Sequence, residues 1–239
     1  MYRALSVFLF LLILAEEGFS STEPERPYVH FSTAIIAPYQ MYGEQGELEG
    51  FAIPIIECAM ERMEMDYNID VLPWARAQKN VELGESDAFF VASRNAVRDA
   101  YAQQSAPLFS GTRSWFFRRG VSVDPVADEF RDQAMVGTIF GTNMHSLLSQ
   151  SYANVVTKTT EEDLIALLKI GRLDAVFLTD LMFDHTIDRL DLNPADFVRK
   201  EAARKPLGVY FGHQFLAQNS SFLELFNAVL SLCSENQSL

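Results

Sequence analysis

One short pattern occurs twice in this chain: Gly84-x-x-Asp87-Ala88 and Gly171-x-x-Asp174-Ala175. Each copy follows a helical stretch and opens a short apolar run, 87–91 in the first case and 174–178 in the second. A glycine just past a helix supplies the left-handed residue that ends it. An apolar run of that length reads as a strand buried on both faces. The order upstream of each copy is also the same. In the first half, strands are predicted at 29–37 and 67–72. Between them Phe51, Ile55, Ile56, Ala59, Met60 and Met63 recur at helical spacing. Pro73 then opens a helix over 74–83, in the first-turn position that proline favours. In the second half a strand over 134–139 meets Gly141-Thr142-Asn143, which opens a helix. A strand over 153–158 precedes the capping-box pair Thr159 and Glu162 and an apolar helix over 164–170. Strands alternating with helices require a parallel sheet with crossover connections. The expectation is therefore an α/β protein of two similar lobes, with a ligand crevice between them.

The remaining segments are less regular. Ala106-Pro107-Leu108-Phe109 and the run around Trp115, Phe116 and Phe117 read as a connector between the lobes. Segments 197–200 and 207–211 read as two strands. Ser220 or Ser221 caps a last helix with Phe222, Leu225, Phe226, Val229 and Leu232 facing inward.

Residues 1–20 read as a secretion signal. Arg3 supplies the positive start, 4–15 is an apolar run of twelve residues, and cleavage fits after Ala15 or Ser20. That run is shorter than the roughly 20 residues of a spanning helix. Removing it leaves 18 basic and 30 acidic side chains, a formal charge of −12. Such a charge argues against nucleic acid as a partner. The two cysteines, Cys58 and Cys233, either pair in an oxidising compartment or stay as two buried thiols. The four histidines are scattered, and no phosphate loop, dinucleotide fingerprint or nucleophile elbow occurs, so no metal, cofactor or catalytic residue is predicted.

Five places could hold a ligand. Arg98 offers a planar fork of donors that matches a carboxylate; Arg94, one turn earlier, is the alternative, and Arg76 a third. Both Arg94 and Arg98 fall in a segment read as helical. Gly141, Thr142 and Asn143 stand between a strand and a helix, where free N–H groups and the positive helix end attract anions. Thr142 or Asn143 also suits a plain helix cap. Asp180 follows the strand that ends at Thr179, at the carboxyl edge where open α/β sheets place ligand contacts; its other reading is a cap for the next helix. Tyr39, Trp74, Phe90 and Trp115 could line the crevice with aromatic faces; for all but Tyr39 the stronger reading is core packing.

In the order Gly84, Asp87, Ala88, Arg98, Ser105, Pro107, Leu108 the first half resembles the periplasmic solute-binding proteins of family 3, the amino-acid-binding lineage. The resemblance implies a two-lobed, type II-like periplasmic binding fold, each lobe a mostly parallel sheet flanked by helices. It implies lobe 1 over 24–112, lobe 2 over 113–202, and a return to lobe 1 over 203–239. It further implies that Arg98 grips a ligand carboxylate shared with Gly141-Thr142, that Asp180 accepts the α-ammonium, and that Tyr39 lies over the ligand. The partners implied are an amino-acid-like solute and a membrane permease or receptor that reads the closed form of a periplasmic monomer. Two alternatives stay open: a sensor with a diverged pocket, and an enzyme of the cyclohexadienyl dehydratase type using an acid near Tyr39.

Overall fold

The computed structural model describes residues 27–121 and 123–234, so the leader read at 1–20 lies outside the described residues. The first half runs β1 Tyr28–Thr33, the small hairpin β2 Met41–Tyr42 and β3 Leu48–Glu49, α1 Ile53–Arg62, β4 Asp66–Val71, α2 Trp74–Leu83, β5 Ala88–Ser93 and the single turn α3 Ala96–Asp99. The long strand β6 Ala102–Arg118 follows. The second half is α4 Asp128–Gln133, β7 Met135–Ile139, α5 Asn143–Ser151, β8 Asn154–Lys158, α6 Glu161–Lys169, β9 Ala175–Thr179 and α7 Asp180–Arg189. A second long strand, β10 Phe197–Gly212, returns to α8 His213–Gln218 and α9 Phe222–Ser234.

Eight strands form one sheet in the order β4-β1-β5-β10-β6-β9-β7-β8. Each end of it is a parallel trio made by crossover helices, β4-β1-β5 and β9-β7-β8. The antiparallel pair β6 and β10 joins them. The repeated Gly-x-x-Asp-Ala pattern has a physical origin in both trios. Gly84 and Gly171 each take a φ of +75°, ending the preceding helix. Asp87 accepts the backbone N–H of His30 at 2.8 Å, and Asp174 accepts that of Met135 at 2.8 Å. Each aspartate thereby fixes the start of its strand against the neighbouring one, with Ala88 opposite Phe31 and Ala175 opposite Val136.

Three sequence readings need correction. The segments at 197–200 and 207–211 are one strand, because residues 201–206, mostly exposed, keep their ladder to β6. Backbone pairing sustains a strand there that no apolar alternation announces. The helix around Arg94 and Arg98 shrinks to Ala96–Asp99, since the Asn95 side chain caps it by accepting the Arg98 N–H at 2.8 Å. The cap of α6 is Thr160, which accepts from Asp163, one residue later than the predicted box.

The largest core cluster packs α1 and α9 against the first trio through Phe31, Phe90, Phe211 and Phe226, and continues into the second half around Phe116 and Phe183. Fully burying a side chain of this kind stabilises by roughly 1.5–3 kcal/mol. In α9 the buried line is Phe222, Phe226, Leu230 and Cys233; Leu225 and Leu232, expected inward, are exposed. Cys58 of α1 and Cys233 of α9 form a disulfide, with Cα atoms 5.9 Å apart. Among the described residues no helix is long and apolar enough to cross a membrane.

Candidate functional site between the lobes

A cavity of about 680 Å³ opens between the two parallel trios, at the carboxyl ends of their strands. That volume suits a small organic ligand. On the first-lobe side its shape depends on the end of β5. Val91 takes a φ of +58°, rare for a β-branched residue, near the shift of register between β5 and β10. The Asn95 cap then turns Arg98 back beneath the strand end.

Arg98 lines the cavity and is 3% exposed. Its Nε donates to Gln78 Oε1 at 2.8 Å, and Nη1 donates to Ser93 O at 2.7 Å. The guanidinium carbon sits 5.4 Å from the Trp74 ring and 5.8 Å from the Phe89 ring. Burial pushes its pKa down to about 10, so it remains a cation at neutral pH. Arg94, the alternative, points elsewhere: exposed, it pairs through Nε with half-buried Asp99 at 2.9 Å, and it is not part of the lining.

On the opposite side, Gly141 makes the turn into α5 with a φ of +74°. Thr142 caps the helix, its Oγ1 accepting the His145 N–H at 3.1 Å and donating to Ile139 O at 2.8 Å. The hydroxyl is thus committed to the cap, and the first-turn N–H groups of α5 carry the positive end of the helix. Thr142, Asn143 and Met144 line the cavity; Gly141 does not, and packs toward Trp74 and Ala75. Asn143 reaches across the crevice. Its Nδ2 donates to Ser93 O at 2.9 Å and Ser93 Oγ at 2.7 Å, and its Oδ1 accepts from Asn95 Nδ2.

Tyr39 lines the floor of the cavity. It is buried, stacks on Phe109 at 5.1 Å, and donates through its hydroxyl to Thr179 Oγ1 at 3.2 Å, which ties the first half to the end of β9. Trp74 lines the wall, and its Nε1–H is buried with no acceptor among the described residues. Phe90 and Trp115 sit in core clusters, as read. Asp180 does not join this group. It begins α7, accepts from Arg199 Nη1 at 3.2 Å and is not part of the lining.

Three cavity residues escaped the sequence reading. Arg113, in the middle of β6, is 8% exposed and donates from Nη2 to Ser93 Oγ at 2.6 Å. Burial pushes its pKa below the ordinary arginine value. Ser93 gathers both guanidiniums and Asn143. Glu161, the first residue of α6, is the acid in the lining, and burial pushes its pKa up to about 7. Only the crevice geometry marks them out; in sequence Arg113 sits in a mixed polar stretch and Glu161 in an acidic first turn.

Two parallel trios bridged by long antiparallel strands, with a buried arginine facing a helix N-terminus across the crevice, define a two-lobed binding protein of the periplasmic type. Residues 30–239 match the bacterial extracellular solute-binding proteins, family 3, and the chain belongs to that family. Solved structures support the fold. A histidine kinase sensor domain similar to periplasmic binding proteins superposes with a TM-score of 0.76 at 16% identity, covering 90% of this chain and 93% of that one. An ancestral arginine-binding protein bound to arginine gives 0.73 at 17% identity, over 88% and 94%. A periplasmic binding protein of Salmonella typhimurium with high arginine specificity gives 0.70 at 19% identity, over 87% and 94%. No curated protein sequence matches the chain.

Proposed function

We propose that this protein is an exported, periplasmic receptor that closes as a monomer on a small carboxylate-bearing solute of the amino-acid type and presents it to a membrane transporter. The observation that carries this reading is Arg98. Its guanidinium is buried, fixed by Gln78 and Ser93, and lines a cavity that the start of α5 also lines. A ligand carboxylate there would take a bidentate pair from Arg98 and the N–H groups of the first turn of α5. The hinge is assigned to the middle of β6 and β10, where Arg113 faces Ala203 beside a shift of register between Glu201 and Ala203. Among the described residues lobe 1 then comprises 27–112 and 203–234, and lobe 2 lies between them.

The test is the melting temperature of the mature protein, unfolded and refolded to strip carried solute, against a panel of amino acids and small acids. A ligand at about 1,000 times its dissociation constant adds roughly 4 kcal/mol, or about 8–16 °C for a chain of this size. A hit that disappears in Arg98→Ala supports the reading. A flat panel refutes it. The likeness to a sensor domain favours a second reader for the same closure, a membrane receptor in place of a permease. Capture of the ligand-loaded form by one or the other separates the two.

A further inference from the structure

Arg98 shares the cavity with another buried cation. Arg113 Nη2 donates to the hydroxyl of Ser93, and Arg98 Nη1 donates to the carbonyl of the same residue. The two guanidiniums therefore converge on one point, from opposite functional groups of Ser93. Among the described residues no carboxylate oxygen lies within ion-pair distance of either. Burial disfavours the charged form of both, and the charge of Arg113 disfavours that of Arg98 further. Uncompensated buried charges cost several kcal/mol each. A chain of formal charge −13 has ample acid to neutralise them, and places it elsewhere. Asp180 in particular is held by Arg199, outside the cavity lining.

We infer that the ligand of this cavity is a small acid with two negatively charged groups, one for Arg98 and one for Arg113, and not a cation such as arginine. This rests on the solute-receptor reading and narrows its ligand class. The charge balance is simple. With Glu161 ionised, the lining carries one net positive charge. An acidic amino acid, net −1, neutralises it and turns its ammonium toward Glu161. With Glu161 protonated the lining carries two positive charges, and a plain dicarboxylate neutralises it. A neutral amino acid leaves one guanidinium without an anion. Arginine would add a third cation to the same space. Ile36, Leu72, Phe140 and Met182 make much of the remaining wall apolar, so charge is what discriminates among ligands of similar size.

Isothermal titration of the ligand-stripped mature protein with matched pairs reads this directly: glutamate against glutamine, aspartate against asparagine, with succinate, glutarate and arginine alongside. At least one acid is expected to bind roughly 10- to 100-fold tighter than its amide, the range of one charge-assisted bond. Arginine is expected not to bind. Acidic amino acids above plain dicarboxylates would place an ammonium against Glu161; the reverse order would place Glu161 in its protonated form. Arg113→Gln should bring the acid-to-amide ratio close to one without lowering the ligand-free melting temperature, because it removes a buried unpaired charge. A residue serving only the fold would show the opposite, a lower melting temperature and an unchanged ratio. If that variant fails to fold, the wild-type ratio decides alone. A neutral or cationic amino acid binding as tightly as the acids overturns the inference and leaves the receptor reading standing. Silence toward every probe overturns both.

Discussion

The Cys58–Cys233 bridge should carry a large share of the stability of this protein. It ties α1, near the start of the fold, to α9 at its end, across 175 residues of sequence. Cross-linking so long a loop removes entropy from the unfolded chain worth about 5 kcal/mol on the loop-closure relation, toward the top of the measured range. Each kcal/mol shifts the melting temperature of a chain this size by roughly 2–4 °C. Cys58→Ala with Cys233→Ala should therefore melt roughly 10–20 °C below the oxidised protein. Reductant should lower the wild type nearly as far and leave the variant where it is. The buried line Phe222, Phe226, Leu230 keeps α9 docked in the variant at low temperature, so folding itself should survive. Scanning calorimetry with and without reductant reads both shifts. A double variant melting within about 3 °C of the oxidised wild type would refute the reasoning, as would two free thiols titrated in unreduced, denatured protein.

Two further outcomes are expected. Glu161 holds its proton more tightly in the folded chain, with a pKa of about 7 against an ordinary 4.5. Its contribution to ligand-free stability is thus fully present below pH 4.5 and lost as pH rises through 7, by up to about 3 kcal/mol. Glu161→Gln should remove that slope, making the variant the more stable of the two at pH 8; melting curves of both that stay parallel from pH 4 to 8 would sink this. Asn143→Ala deletes the donor that bridges α5 to Ser93. It should weaken solute binding by roughly tenfold through loss of the closed form, without lowering the melting temperature of the ligand-free protein. Unchanged affinity would show that the bridge adds nothing to closure.

The α/β architecture was legible because its signals are local. Gly84 and Gly171 end helices, and Asp87 and Asp174 fix neighbouring strands by one hydrogen bond each. Those jobs leave a pattern five residues long. Arg98, Thr142, Asn143, Tyr39 and Trp74 line the cavity for similar reasons, each standing near the carboxyl end of a strand. The long strand β10 was illegible over 201–206, where Glu201, Arg204 and Lys205 look like a solvated loop. Their ladder to β6 is set by a partner some ninety residues away in sequence. Asp180 stands outside the cavity lining, paired with Arg199 of β10, a contact between distant segments that no local pattern marks. Arg113 could not be singled out because its burial arises where the two lobes meet.

The same non-local residue determines what closure means energetically. Asn143, from the second lobe, covers Ser93, on which both guanidiniums converge. Bringing the lobes together therefore withdraws water from two cations at once. Closing a receptor with a neutral pocket desolvates no such charge. Here closure without an anion leaves charge desolvated and unpaired, which favours the open form. An acid with two charges reverses the sign, because each group it supplies is worth more in the closed, drier cavity than in the open one. Differential interaction of that kind is what a ligand needs to shift a two-state equilibrium. Moving it from one part in a hundred closed to ninety-nine takes about 5.5 kcal/mol, within reach of two charge-assisted pairs at about 1.5–3 kcal/mol each. A single carboxylate on Arg98 falls short of it. The second arginine thus makes charge, ahead of shape, the condition for closing.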